Sequence, residues 1–259
     1  MKYTTEAYLI SCLTNMHVGA GGANYGVIDN LIQRDSVNNM PVINSSSLKG
    51  ALREYFKNTW EKEPKKLKYV FGADPSRNED DKGKESIGHY KFFNADLLVL
   101  PVRSNKNPFY RATAKMLVDT INEKAKAFQE KELVSGSYDY STPTTIGGDV
   151  KLEDWLAASD PTINYDPNMG NDVAIFDDNT FKKLAKRLPV IARNQLDNGE
   201  SKNLWYEEVV PRESRFICFI SKTETNSDDF DKDLSQAVVQ IGANGSIGYG
   251  YCRITKITG

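Results

Sequence analysis

Apolar residues open the chain in a nearly unbroken run, Ala7-Tyr8-Leu9-Ile10 and then Cys12-Leu13, which predicts a first strand over residues 6–13. Short β-like stretches follow at 26–34 and 40–43. The period then changes. Leu48, Leu52 and Phe56 recur at every fourth position, which predicts a helix running to about Trp60 with those three on its core stripe. Ser45, Ser46 or Ser47 can cap its start. Lys49 and Arg53 share a different face by the same spacing, so the helix can pack inward and present cations outward.

Residues 74–88 are charged and poor in apolar side chains, which predicts a mobile loop. Residues 89–102 turn β-like again and end at Pro101. Residues 111–130 predict a helix with Ala112, Met116, Leu117 and Ile121 as its apolar positions. Residues 134–172 are rich in Gly, Ser, Thr, Pro, Asp and Asn with scattered aromatics, which predicts a long irregular insertion. Residues 178–196 predict another helix, with Pro189 inside it, and 215–221 and 247–257 predict a β tail. The length of 259 residues allows one large domain or two small ones. Strands at both ends with helices between suit an α+β fold, one domain over 1–259 with a ferredoxin-like β-α-β-β-α-β core.

The formal net charge is −2, whereas a protein that binds nucleic acid by bulk charge is usually basic, so any such surface here is local. Cys12, Cys218 and Cys252 are odd in number and widely spaced. That pattern predicts neither a disulfide framework nor a zinc site and fits a reducing cytosol. Glu6 interrupts the only apolar run near the start, which is not a signal-peptide pattern, and no run approaches the roughly 18 residues of a membrane span.

Four places carry candidate chemistry. A glycine loop, His17-Val18-Gly19-Ala20-Gly21-Gly22, leads to a lone aspartate, Asp29. Such an aspartate is usually a turn residue, but a carboxylate can also hold a hydrated Mg²⁺ or act as a general base. The serines at 45–47 open a helix bearing Lys49 and Arg53, and a helix N-terminus with nearby cations favours phosphate. Residues 242–250, Gly-Ala-Asn-Gly-Ser-Ile-Gly-Tyr-Gly, lack the Gly-Lys-Ser/Thr of a P-loop, yet bare backbone there can approach phosphates closely. Glu207-Glu208 follow Leu204-Trp205-Tyr206, and paired glutamates are ordinarily a solvated face.

Taken in order, these segments resemble the RAMP superfamily of CRISPR effector proteins, and within it the backbone subunits of type III-B (Cmr) complexes. The likeness also includes Ile28-Asp29 before Asn30-Leu31-Ile32-Gln33-Arg34, the stretch from Asp96 to Ser104, and Ala192-Arg193. Where the family commonly has an aromatic after the two glutamates, this chain has Val209. The resemblance implies a modified RNA-recognition fold and a metal-dependent endoribonuclease, with Asp29 catalytic and holding Mg²⁺ and with His17, Glu207 and Glu208 assisting. It implies guide-RNA contacts from Arg34, Ser46, Ser47, Lys49, Arg53, Gly242, Gly245 and Gly248. It places a "thumb" in the 134–172 insertion, where Trp155, Tyr140, Tyr138 and Tyr165 could stack on bases. The partners implied are a CRISPR guide RNA, a target RNA, further copies of the chain in a helical filament and other Cmr-type subunits, in the cytoplasm. Two alternatives stay open, a type III-A (Csm) backbone subunit and a non-catalytic guide-binding scaffold.

Overall fold

A computed structural model describes residues 2–22, 26–73, 87–147 and 149–257 of the protein. The charged stretch expected as a mobile loop lies outside the described residues, apart from Ile87 and Gly88.

The first half of the chain forms β1 (Thr4–Cys12), β2 (Val42–Ile43), α1 (Ser45–Thr59), α2 (Pro64–Phe71), β3 (Lys91–Phe92), β4 (Ala95–Arg103), β5 (Phe109–Ala114) and α3 (Lys115–Gln129). Then come β6 (Thr144–Thr145), β7 (Val150–Leu152), β8 (Trp155–Ser159), β9 (Val173–Phe176) and α4 (Asp178–Ala185). The last part forms β10 (Val190–Asp197), β11 (Glu200–Glu208), β12 (Arg215–Lys222), α5 (Ser227–Leu234), β13 (Val238–Gln240) and β14 (Tyr251–Lys256).

Four long strands make the centre, in the order β14-β1-β12-β4, each antiparallel to its neighbours. The chain reaches β4 from β1 by way of α1, and β14 from β12 by way of α5. Both helices lie on one face, where Phe56 of α1 stacks on Phe230 of α5 with ring centroids 4.7 Å apart. The opposite face is covered too. Along β1, Tyr8, Ile10 and Cys12 point to the α1/α5 side, while Ala7 and Leu9 point to Val118, Ile121 and Ala125 of α3. Successive strand side chains alternate between faces, so a strand buried on both sides has no polar alternation. That is why β1 appears in the sequence as a continuous apolar run.

The structure corrects three expectations. The expected helix 111–130 is a strand followed by a helix, because Ala112 and Ala114 are sandwiched in β5 and the turn into α3 comes at Lys115. The expected helix 178–196 stops at Ala185; Asp177 caps its start by accepting from the N–H groups of Asn179 and Thr180. Beyond Pro189 the chain becomes a hairpin, β10-β11, turning at Asn198-Gly199 with both residues at positive φ (50° and 87°). Two positive-φ residues are what a tight hairpin turn of this kind requires, and Asn-Gly supplies them at least cost. The 134–172 insertion is not an irregular projection. It supplies β6, β7 and β8 to the sheet, and Val134, Tyr138, Ile163 and Met169 are buried on the α3 side.

Candidate nucleic-acid interface

The segment that follows β1 runs beside the root of the β10-β11 hairpin. Met16 pairs with Val210, Gly19 with Ile32, and Asn30 with Glu207 as isolated bridges. Asp29 sits on this seam and is exposed. Its Oδ2 accepts the Tyr206 N–H at 2.8 Å, and the Asp29 and Asn30 N–H groups both donate to the Tyr206 carbonyl at 3.1 Å. The seam thus fixes the carboxylate by backbone bonds while leaving it open to solvent.

Beneath it, Glu207 is buried. Its Oε2 accepts from Arg193 Nε at 3.1 Å and from Asn244 Nδ2 at 2.9 Å, and its Oε1 from Trp205 Nε1 at 3.0 Å. Burial pushes this carboxyl upward, but the bonds from Trp205 and Arg193 and the nearby His17 outweigh it and hold Glu207 below the usual glutamate value. The Arg193 guanidinium lies over the Tyr249 ring, 4.3 Å from its centroid. Three elements distant in sequence are thereby tied together: the hairpin, the 242–250 loop and the segment after β1.

The other expected site residues fall into two groups. Glu208 and Arg34 satisfy each other. Glu208 is buried, its Oε1 lies 2.5 Å from Arg34 Nη2, and its Oε2 accepts the Ile32 N–H at 3.2 Å. Arg34 Nη1 donates to the Asn39 and Ala185 carbonyls. A carboxylate and a guanidinium so engaged brace the seam and present neither a free base nor a free phosphate contact. His17 is also buried, its Nδ1 at 2.7 Å from the Glu208 carbonyl and its own carbonyl accepting the Ala243 N–H. It joins the hairpin root to the glycine loop from below.

Gly242 shows why that loop needs glycine. Its φ is +90°, and a Cβ there would lie 2.3 Å from the His17 carbonyl oxygen. Gly245 packs on the Gln240 side chain, whereas Gly248, at φ +85°, faces open space. Across from the loop stands the start of α1. None of the three serines caps the helix. Gln33 Oε1 accepts the Asn44 N–H, Asn94 Oδ1 accepts the Ser45 N–H, and Gln33 Nε2 donates to Ser47 Oγ. Ser46 is exposed in the first turn, where helix N–H groups have no acceptor within the helix. Between α1 and the loop lies a groove of about 650 Å³, lined among others by Gly19, Ser47, Gly50, Gly242 and Ala243.

Lys49 and Arg53 project from α1 on the side away from the groove. Arg53 donates to the Gly72 and Ala73 carbonyls and is engaged with the end of α2 rather than pointing outward. Lys49 leans over the Phe92 ring, 6.0 Å from its centroid.

Two further expectations concerned Trp155 and Tyr140. Trp155 is half-buried edge-on against Phe176 with Arg187 over its ring, and Tyr140 is half-buried with its hydroxyl donating to Asp160. Trp155 is thus committed to packing against β9 and the end of α4, and Tyr140 to a contact within the insertion. The element that projects is the hairpin, and one face of it carries Val190, Ala192, Leu204 and Tyr206, all exposed. Arg193, Trp205 and Asn244 carry the site's hydrogen bonds and had no assigned role in the sequence reading; their partner Glu207 lies 14, 2 and 37 residues away. Among the described residues, no group of three His, Cys, Asp or Glu side chains could form a metal cage. No described helix is long and apolar enough to cross a membrane.

The pattern of the RAMP superfamily matches residues 9–253. The chain is 28% identical to the CRISPR system Cmr endoribonuclease Cmr4 of Pyrococcus furiosus, over 96% of this chain and 95% of that protein. Its fold is similar to a chain of the type III-B Cmr-beta complex bound to cognate target RNA, with a TM-score of 0.79, 21% identity, and 97% and 96% of the two chains covered. It is also similar to oligomeric Cmr4 from Pyrococcus furiosus, with a TM-score of 0.71, 22% identity, and 98% and 99% covered.

Proposed function

Because the chain belongs to the RAMP superfamily, we propose that it is a backbone subunit of a type III-B CRISPR complex in the cytoplasm, which binds guide RNA and cleaves the complementary target RNA. The observation that carries this reading is Asp29, an exposed carboxylate pinned by Tyr206 on the seam between the glycine loop and the hairpin root. The relative from Pyrococcus furiosus is named an endoribonuclease, and the match spans 96% of this chain and 95% of that protein. The central order β14-β1-β12-β4, with α1 and α5 as crossovers, supports a core of the RNA-recognition type.

In this reading the guide backbone follows the groove between α1 and the 242–250 loop, lined by Ser47 and Gly242, and passes exposed Ser46 in the first turn of α1. Copies of the chain stack head to tail along the guide, since a heterologous contact that does not close builds a filament, and other Cmr-type subunits complete the complex. The exposed face of β10-β11, with Leu204 and Tyr206, is the wedge that parts the guide–target duplex, a role the family resemblance had implied for 134–172.

The chemistry asked of Asp29 is modest. The target's own 2′-OH attacks the adjacent phosphorus; the 2′-O–P bond forms and the P–O5′ bond breaks, leaving a 2′,3′-cyclic phosphate and a 5′-OH. Asp29 accepts the 2′-OH proton in one version of this step. In the other it holds Mg²⁺. One carboxylate open to solvent fits an ion that keeps most of its waters and takes phosphate oxygens as further ligands. When bound, that ion would neutralise charge on the phosphate. The test is cleavage of labelled target by the assembled complex. Asp29→Ala should abolish it while guide and target binding persist, and a single deoxyribose 5′ of one scissile phosphate should block that cut alone. Cleavage by Asp29→Ala at the wild-type rate would remove this residue from the site.

A further inference from the structure

The three cysteines are all buried and free, but they are not equivalent. Cys218 sits on β12 opposite Tyr8, and burial holds its thiol well above the usual value. Cys12 and Cys252 face each other across β1 and β14. Their Sγ atoms are 3.8 Å apart, and the Met16 Sδ lies 3.9 Å from that of Cys252. The hydrogen bond shared with Cys252, then burial, push the Cys12 thiol up.

The register sets this pair apart. Cys12 donates its N–H to the Ser214 carbonyl and accepts from the Glu213 N–H, both on the β12 side. Leu13, the next residue, turns its N–H the other way, to Tyr251. Cys12 and Cys252 are therefore a non-hydrogen-bonded pair of the antiparallel ladder. Facing Cα atoms come closest at such positions, about 4.5 Å, inside the roughly 4.4–6.8 Å that a disulfide spans. Side-chain rotation can bring the sulfurs together while the strands keep their register.

Their place in the fold gives the pair a consequence. Cys12 ends β1 and Cys252 is second in β14, so both stand where the chain leaves the sheet for the candidate site. Beyond them the Leu13 and Thr14 N–H groups donate to the Tyr251 carbonyl, the Gly250 N–H to the Asn15 carbonyl and the Ala243 N–H to the His17 carbonyl. Those bonds alone hold the 242–250 loop to the segment that leads from β1 toward Asp29.

We propose that Cys12 and Cys252 are an oxidisable pair, closed to a disulfide by hydrogen peroxide, which fastens the foot of the glycine loop to the end of β1. Local opening of the last β1–β14 pairing admits the oxidant. One thiol gives up its proton and its sulfur attacks a peroxide oxygen. The O–O bond breaks, one water leaves, and a sulfenic acid remains. The second thiol's sulfur then attacks the first; the S–S bond forms, the S–O bond breaks, and a second water carries off the remaining proton. Two electrons pass from the two sulfurs to one peroxide. In a reducing compartment the pair stays open, and small thiols reverse the link by exchange.

The test starts from the full-length wild type. The protein is treated with hydrogen peroxide, remaining thiols are capped with N-ethylmaleimide in denaturant, and the unreduced digest is read by mass spectrometry. One linked species should join the Cys12 and Cys252 peptides, with Cys218 capped. The oxidised protein should melt higher than the reduced one by about 5 °C or more, because the link joins residues 240 apart in sequence. Amide exchange at 13–16 and 243–251 should slow, and dithiothreitol should reverse both changes. Cys218→Ala should keep the link and the thermal shift; Cys12→Ala should lose both. If Cys12→Ala does not fold, the wild-type map decides alone. A link through Cys218, or higher oxidation of Cys12 and Cys252 with no link, overturns the proposal. A link that leaves melting and exchange unchanged overturns it too, because the pair would then close without fastening the loop.

Discussion

Asp29 and Tyr206 exchange hydrogen bonds in both directions: the carboxylate accepts the Tyr206 N–H at 2.8 Å, and the Tyr206 carbonyl accepts the Asp29 N–H at 3.1 Å. The candidate catalytic group and the hairpin root are therefore one mechanical unit, although they are 177 residues apart in sequence.

This pairing separates two roles of Asp29. Asparagine in its place can still accept from Tyr206 but carries no charge. Asp29→Asn should keep the hairpin seated, with stability within about 0.5 kcal/mol of wild type, and should still lose cleavage. Asp29→Ala should lose the bond as well, at a cost of about 0.5–1.5 kcal/mol. Amide exchange at Tyr206 reads the seat and a cleavage gel reads the charge. Cleavage retained by Asp29→Asn would make the residue an anchor only.

Glu207 gives a pH dependence with a definite sign. Its carboxyl sits below the ordinary value of 4.5 in the folded state, so its contribution to stability is complete above that pH and is lost as pH falls through the lowered value. Trp205, which donates to it, is a built-in reporter. Trp205 fluorescence or amide exchange in β10-β11 should stay flat from neutral pH to about 5 and change only in more acid solution. Glu207→Gln should remove that acid transition. A transition in the wild type near neutrality would contradict this assignment.

Arg34 and Glu208 should behave as a structural pair. Removing one partner of a largely buried ion pair leaves the other uncompensated, at a cost of about 3–5 kcal/mol. Arg34→Ala and Glu208→Gln should each lower the melting temperature markedly. The double change Arg34→Met with Glu208→Leu should recover part of the loss. RNA binding by Arg34→Ala, measured where the protein is still folded, should keep the wild-type salt slope, because this guanidinium is already occupied. A flattened slope would restore it to the RNA surface.

The hairpin and the insertion should respond oppositely to deletion. Trimming 195–203, rejoining the paired Asn194 and Leu204 with an Asn-Gly turn and adding Leu204→Ser alters only exposed residues. The protein should melt like the wild type and bind guide RNA, with cleavage impaired because the duplex is no longer parted. Deleting 140–165 removes β6, β7 and β8 together with buried Val150, Leu152 and Ala157 and takes from β9 its β6 partner and from Phe176 its Trp155 cover, so that variant should not fold. Circular dichroism and a cleavage ladder distinguish the two. An intact ladder from the trimmed hairpin would end its role as a wedge.

Much of the central fold is legible in local pattern. The Leu48-Leu52-Phe56 stripe and the run in β1 predict their elements because burial on a helix or strand leaves a period in the sequence. The hairpin is not legible in that way. Residues 190–196 hold enough apolar side chains to continue a helix, and the decisive signals are two small ones, Pro189 and Asn198-Gly199. Ala112 and Ala114 suit a helix as well as a packed strand, so the start of α3 is hidden too. At the site, Asp29 stands out only through the family resemblance, since a lone aspartate after a glycine loop is usually a turn residue. Arg193 and Asn244 do not, since each acts through Glu207, a contact made only in the folded chain. The serine cap fails for the same reason, because Gln33 and Asn94 come in from elsewhere to do that work.

The burial of β1 on both faces has a last consequence. A sheet with one bare face can offer aromatic rings to unstacked bases and so prefer some letters over others. Here α3 and the 134–169 stretch close that face, and the central strands have no ring to offer. What stays open is backbone, hydroxyl and cation along the rim. Such a rim is indifferent to spelling. In the function proposed above, one protein could therefore carry any guide it is handed, and the choice of target would pass wholly to base pairing.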